Sequence, residues 1–275
     1  MTPGERDGVQ FFSFESFDAH AGVTALVTTR HGGESTGPYA SLNLGGRTGD
    51  DPAAVRRNRA RAAALLASDS RRLVFGRQVH GAKVAQVPRD FAGGAFDDTD
   101  ALVTNARGTP LVILTADCAA IFLFDSARCA IGIAHAGWRG TVAGIAARAV
   151  RRMHDAFGTA PGDLIAAIGP SIGPCCYEVG AEVIAAVDDT LPDYAGEVLV
   201  EPDMASAGSF RAAVNEGHRH FDLWRANELI LMDAGVGEDR IEVARLCTAC
   251  RTDLFYSHRA EKGLTGRFGG FIVLR

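Results

Sequence analysis

Apolar residues along this chain follow two spacings: short continuous runs bounded by Gly, Pro and Asp, and longer stretches with an apolar position every turn of a helix. The first predicts strands buried on both faces, the second helices packed along one side. GVTALVTTR (22–30) reads as a strand. DDPAAVRRNRARAAALLA (50–67) reads as a helix that starts on acidic caps with Pro52 in its first turn. RRLVFGRQVHG (71–81) and AKVAQVP (82–88) are expected as neighbouring strands, FAGGAFDDTD (91–100) as a loop, and ALVT (101–104) and TPLVILTAD (109–117) as strands. LTADCAAIFLFDSARCAIGIAHAGWRG (114–140) reads as two apolar strands joined by a polar turn centred on Ser126 and Ala127. Beyond it, WRGTVAGIAARAVRRMHDAFG (138–158), YEVGAEVIAAVDD (177–189) and SFRAAVNEGHRHFDLWRANELILMDAG (209–235) are predicted helical, while LIAAIGP (164–170), IEVARL (241–246) and GFIVLR (270–275) return to strand. Without repeats or a Pro-, Gly- or Ser-rich linker, this order predicts a single α/β domain over 1–275, with a mixed β-sheet and flanking helices rather than a run of βαβ units. Residues 1–10 are expected to be a poorly ordered N-terminal segment.

Composition narrows the function classes. The 275 residues, 47% hydrophobic and 22% charged, suffice for a large core. The net charge of −5 argues against a nucleic-acid surface, so the basic runs RRNRAR (56–61) and ARAVRRM (147–153) are read as solvated helix faces. MTPGERDGVQ has no basic stretch followed by an apolar core, and no later run is long enough to span a bilayer. The expectation is a cytoplasmic protein without a membrane partner. Cys118, Cys129, Cys175, Cys176, Cys247 and Cys250 are then thiols rather than a disulfide framework. Cys175, Cys176, Cys247 and Cys250 could offer four thiolates to a structural zinc ion, but a vicinal pair suits tetrahedral knuckle geometry poorly. Buried inert thiols are the preferred reading.

Cys118 and His135 stand equally far from the predicted turn, so a symmetric hairpin would set them face to face, with Cα atoms about 4.5–5.5 Å apart. They could then share a metal ion or act as nucleophile and base. His80, ending RQVHG, is delivered in the same way by an apolar strand, and Gly81 and Gly137 leave room beside the three residues. Two imidazoles and a thiolate are donors zinc favours, and three protein ligands leave a fourth position open. Such a site lowers the pKa of bound water towards ~7. Asp117 is the candidate anchor or general base beside the thiol. Arg139, between Gly137 and Gly140 at a predicted helix start, could hold a phosphate or carboxylate. IGPSIGPCCYEVG (168–180) and TTRHGGESTGPYASLNLG (28–45) read as long irregular loops of the kind that wall a site.

In order, SLNLGGRTGDDPAAVRRNR, RQVHG, TADC, HAGWRG, IGPSIGPCCYEVG and CTACRTDLFYSHRAEKGLTGR resemble the YfiH family, also called the laccase-domain or polyphenol oxidase family, from about Phe11 to Leu274. The resemblance implies a compact α/β fold and a zinc-type metal, or copper, held by His80, Cys118 and His135. Where the family usually has proline two residues after the cysteine, this chain has Ala120. The resemblance implies several activities: phosphorolysis of adenosine, inosine and methylthioadenosine, deamination of adenosine, copper-dependent polyphenol oxidation, and peptidoglycan editing. A nucleoside and phosphate are the expected partners, and the oligomeric state is left open. Deamination suits a zinc site with Asp117 relaying protons. Phosphorolysis asks for a bound phosphate, assigned to Arg139, with Arg30 and Asn43 completing the substrate pocket. True laccase chemistry also needs a histidine-rich cluster, and the one His-x-His, His218 to His220, is predicted on a helix surface. The alternative class is a metal-independent cysteine hydrolase, with Cys118 as nucleophile and His135 as base, editing peptidoglycan precursors.

Overall fold

The computed structural model describes residues 1–201 and 217–275. The expected α/β class with mixed strand pairing holds, its strands divided among a seven-stranded sheet, a six-stranded sheet and a small three-stranded sheet. Successive side chains of a strand point to opposite faces, and both faces of the large sheets are covered. In the strand Ala119–Asp125, Phe122 and Phe124 face the seven-stranded sheet, packing with Ile113, Ile272 and Phe268. Ile121 and Leu123 face the other way, onto the helices Ile145–Phe157 and Leu223–Asp233. The outer face of the seven-stranded sheet, through Leu26, Val112 and Phe271, packs on the helix Pro52–Leu65. The result is four layers, helix, sheet, sheet, helix, and this double covering is why the strands read as unbroken apolar runs.

Local chemistry explains where the elements begin and end. Asp51 caps the helix Pro52–Leu65, its carboxylate accepting from the Ala53 and Ala54 N–H groups at 2.9 and 3.2 Å. The segment 138–158, predicted as one helix, breaks into Trp138–Val142 and Ile145–Phe157 at Gly144, whose φ of 71° no helix interior accommodates. Of the predicted helix 209–235, residues 209–216 lie outside the described residues. Arg219–Phe221 is a strand between Glu178–Val179 and Leu199–Val200, and the helix starts only at Leu223, where Asp222 accepts from Arg225 N at 3.0 Å.

Residues 1–10, expected to be poorly ordered, form a hairpin instead: Thr2–Arg6 pairs with Val9–Ser13. Asp7 and Gly8 both take positive φ, 53° and 76°, as a two-residue turn between strands requires. The strands Val74–Gly76 and Val84–Gln86, expected to be neighbours, belong to different large sheets. The stretch between them carries the chain from one sheet to the other, and that crossing positions the site. The predicted loop 91–100 contains the short strand Gly94–Phe96, parallel to Val74–Gly76. No helix among the described residues is long and apolar enough to cross a membrane.

Candidate active site

Asp100, fully buried just ahead of the strand Ala101–Thr104, organises the site. The chain at His80 turns through a positive φ of 60°. This aims three successive N–H groups, from Val79, His80 and Gly81, at the Asp100 carboxylate, at 3.1, 3.0 and 2.9 Å. The same carboxylate takes the Nδ1 of His135 at 2.9 Å. Burial alone would raise the Asp100 pKa, but the bonds from His135, Gly81 and Val79 outweigh it and hold the carboxyl below its ordinary range. An ionised acceptor keeps the His135 proton on Nδ1, which leaves Nε2 as the free ligand atom.

Cys118 sits in the short link between Leu111–Thr115 of the seven-stranded sheet and Ala119–Asp125 of the six-stranded one. The hairpin pairs Ala120 with His135 and Ala119 with Ala136, so the same register one step on sets Cys118 across from Gly137. The face-to-face pairing of Cys118 with His135 predicted from sequence is therefore off by two residues. The turn is longer than expected, with Asp125 accepting from Ala127 N and Arg128 N at 2.9 and 3.0 Å and Cys129 at a φ of 48°. Contact survives because Gly137 has no side chain: a Cβ there would lie 2.8 Å from Cys118 Sγ and 3.2 Å from His80 Cδ2. The imidazoles of His80 and His135 meet edge to face, centroids 4.8 Å apart. One donor atom from each of His80, Cys118 and His135 lies within 4.8 Å of the others.

The trio is electrostatically coupled. Burial pushes the Cys118 thiol up, but the charge and hydrogen bond of His135, joined by His80, pull it further down, to about 6. Burial pushes His135 down, and Cys118 together with Asp100 brings it up to about 9. The two shifts favour transfer of the thiol proton towards His135 Nε2, and an ion held by the trio would displace that proton. Two imidazoles and a thiolate around a space cleared by Gly137 fit a zinc or copper ion, both of which accept these donors.

The trio opens onto a cleft of about 830 Å³ walled by Phe75, Trp138 and Tyr177 among others. Arg59, Arg259 and Arg267 also line it, and among the described residues their guanidinium groups bond main-chain carbonyls rather than carboxylates. Arg59 donates to Leu44 O at 2.9 Å, Arg259 to Glu178 O at 3.0 Å, and Arg267 to Gly266 O and Thr265 O at 2.7 and 3.1 Å. Arg59 also lies over the Phe75 ring and Arg259 over Tyr177, at 4.7 and 5.3 Å. Burial lowers the pKa of both Arg59 and Arg267, for Arg267 against the pull of Cys118, Asp117 and Glu261. Such a wall favours an anionic ligand.

Asp117 lines the cleft, but Oδ1 accepts from Thr248 Oγ1 and Oδ2 from Arg259 N, each at 2.7 Å. Burial raises its carboxyl despite these bonds. Arg139 reaches the cleft rim, stacked over Trp138 at 4.1 Å and paired with Glu182 at 2.9 Å. Arg30 and Asn43, expected in the substrate pocket, are not in its wall. Arg30 is bound to Glu261 at 3.0 Å and to the Thr252 and Ala40 carbonyls, while buried Asn43 braces its own loop through Asp50, Thr48 and Arg267 N. Arg30 is held by groups far along the chain and Asn43 by its own loop and Arg267, which local sequence does not reveal. His220, predicted on an exposed helix, is buried in a strand with Nδ1 on the Pro174 carbonyl, and His218 bonds Glu178 at 2.9 Å. Sequence reasoning missed Asp100, which nothing local separates from Asp97 and Asp98. Arg59 lies in the basic run 56–61, expected to be a solvated face, yet it lines the cleft. Arg259 and Arg267 lie within the SHRAEKGLTGR motif, a signal that could have found them.

Residues 24–275 match the family described as multi-copper polyphenol oxidoreductase laccase. A protein of Geobacillus stearothermophilus named purine nucleoside phosphorylase YlmD is 40% identical over 262 residues, covering 93% of this chain and 91% of its own. A purine nucleoside phosphorylase of Deinococcus radiodurans is 42% identical over 257 residues, covering 92% and 89%. The crystal structure of Bacillus licheniformis hypothetical protein YfiH superposes with a TM-score of 0.88 at 34% identity, covering 98% of each chain.

Proposed function

The chain belongs to the multi-copper polyphenol oxidoreductase laccase family, the group its motifs resemble, and on that premise we propose that it is a purine nucleoside phosphorylase. The observation that carries this reading is the meeting, in one cleft, of His80, Cys118 and His135 with three arginines bound, among the described residues, to carbonyls rather than carboxylates. The names of the relatives point to the same substrate class. Arg59, Arg259 and Arg267 hold the phosphate, and the apolar faces of Phe75, Trp138 and Tyr177 take the nucleoside. A phosphate oxygen bonds to the anomeric carbon as the bond from that carbon to the purine nitrogen breaks, its electron pair leaving with the base. Positive charge gathers on the sugar as in glycoside cleavage. A zinc or copper ion held by His80, Cys118 and His135 would supply a Lewis acid to polarise the leaving base. Asp100 keeps His135 in the tautomer that can serve as a ligand. Adenosine, inosine and methylthioadenosine are the proposed substrates.

Deamination of adenosine is proposed as a second reaction of the same cleft, because burial favours a proton on Asp117 next to Cys118. The cysteine hydrolase reading has its own support in the thiol of Cys118, held at about 6, with His135 as base. A multicopper oxidase would need a further histidine-rich cluster, whereas the second group of potential ligands among the described residues is all cysteine. Assays on inosine for purine release, on adenosine for ammonia and on a muropeptide precursor for amide cleavage, each with and without phosphate and a chelator, separate these readings. Phosphorolysis predicts release only with phosphate and its loss on chelation, restored by zinc. Cleavage of the muropeptide precursor that survives chelation and dies on thiol alkylation, with no purine release from inosine, would replace the proposal by the hydrolase.

A further inference from the structure

Away from this trio, four cysteines converge on one point. Cys175 and Cys176 lie on the loop after the strand Ile165–Ile168, and Cys247 and Cys250 on the loop after Ile241–Val243. These strands are parallel neighbours, so both loops leave from the same end of the sheet. A bridge between Ser171 and Cys247, with Thr248 N donating to Ser171 O at 3.1 Å, keeps the loops side by side. The four sulfurs all lie within 4.8 Å of one another, and Cys250 Sγ is 3.6 Å from Cys175 Sγ and 3.4 Å from Cys176 Sγ. All four are free thiols.

The spacing discriminates between uses. A disulfide joins sulfurs in pairs at about 2.0 Å. A tetrahedral ion with bonds of about 2.3 Å to sulfur holds every pair of its ligands about 3.8 Å apart. Sulfurs that are unbonded yet mutually within 4.8 Å match the second arrangement. They are also too compact for thiolates that must reach different irons of a cluster. Although Cys175 and Cys176 are adjacent, the loop turns both sulfurs towards Cys250.

We propose that Cys175, Cys176, Cys247 and Cys250 bind a single zinc ion as a closed structural site, separate from His80, Cys118 and His135. Four thiolates leave no open position, which is the structural rather than the catalytic pattern. The ion ties together two loops that wall the cleft. One carries Tyr177, next to Cys176; the other carries Thr248, whose hydroxyl holds Asp117 at 2.7 Å.

The test counts zinc per chain by elemental mass spectrometry on the whole protein, then loads Co²⁺ and reads its absorption. The His80→Ala/Cys118→Ser variant keeps all four cysteines. It is expected to retain one zinc per chain and, with Co²⁺, to give the intense sulfur-to-cobalt bands of a tetrathiolate. Cys175→Ser/Cys250→Ser is expected to lose one zinc relative to the unmodified chain. If that variant fails to fold, the first measurement decides alone. A His80→Ala/Cys118→Ser protein that binds neither metal under reducing conditions, or whose intact mass reveals a disulfide among the four cysteines in place of an ion, overturns the proposal.

Discussion

Asp100 does the most for the site of any single residue, because one buried carboxylate fixes the chain at His80 and the ring of His135 together. Asp100→Asn keeps the shape but loses the charge that orients Nδ1–H. Outer partners of this kind are worth about 10- to 100-fold in metal affinity, so zinc titration of the variant should reveal a loss of that size; unchanged affinity would mean that His135 is positioned by packing alone. The electrostatics of Cys118 give a second check. In metal-stripped protein its thiol, held at about 6, should react with iodoacetamide at a rate that rises with pH around that value, followed by peptide mapping. An ordinary thiol would climb only near ~8.5. The sign follows from the thiolate being the nucleophile, so lowering the pKa moves reactivity towards acid. At this scale the sequence was partly legible: residue type and strand-end placement pointed to His80, Cys118 and His135, which the fold brings within 4.8 Å of one another. Asp100 was not legible, since its role depends on a chain turn from another part of the fold.

At the scale of elements, period and caps were legible, and several breaks in them were not. The apolar hairpin stood out in sequence, but its register depends on how many residues the turn consumes, a matter settled by Asp125 and Cys129 rather than by symmetry. The Asp7-Gly8 turn is a strong hairpin signal that the polar composition of the N-terminus masked. Two glycines separate site geometry from fold stability. A methyl at Gly137 would press on Cys118 Sγ, so Gly137→Ala should weaken metal binding by about tenfold or more. A methyl at Gly144 would meet nothing within 4 Å, but the backbone there sits at a φ of 71°. Gly144→Ala should therefore cost about 1 kcal/mol through the backbone, roughly 2–4 °C in Tm. A Gly144→Ala protein with undiminished stability, measured by thermal unfolding, would contradict the strain argument.

Across the whole molecule, two sheets packed face to face bring together groups that lie far apart in sequence. The chain crosses between the sheets at His80 and again at Cys118, and the cleft opens where it does so. The α/β class was legible because doubly covered strands leave long apolar runs. The second sheet, and with it the convergence of Arg59, Arg259 and Arg267, was not, because nothing in a strand's own residues says which neighbour it takes. Arg139 was the phosphate candidate from sequence, but Glu182 already holds it. Arg259→Ala or Arg267→Ala should raise the phosphate KM by about 10- to 100-fold, from the 1.5–3 kcal/mol scale of a hydrogen bond to a charged group. Arg139→Ala should have a smaller effect, and the reverse order in steady-state kinetics would return the phosphate site to the rim. The most direct measurement is phosphorus NMR of metal-replete protein turning over inosine in phosphate. The account predicts a growing ribose 1-phosphate signal matched by purine release and absent from Cys118→Ser. Purine release that leaves the phosphate signal untouched, or an undiminished ribose 1-phosphate signal from Cys118→Ser, would contradict it.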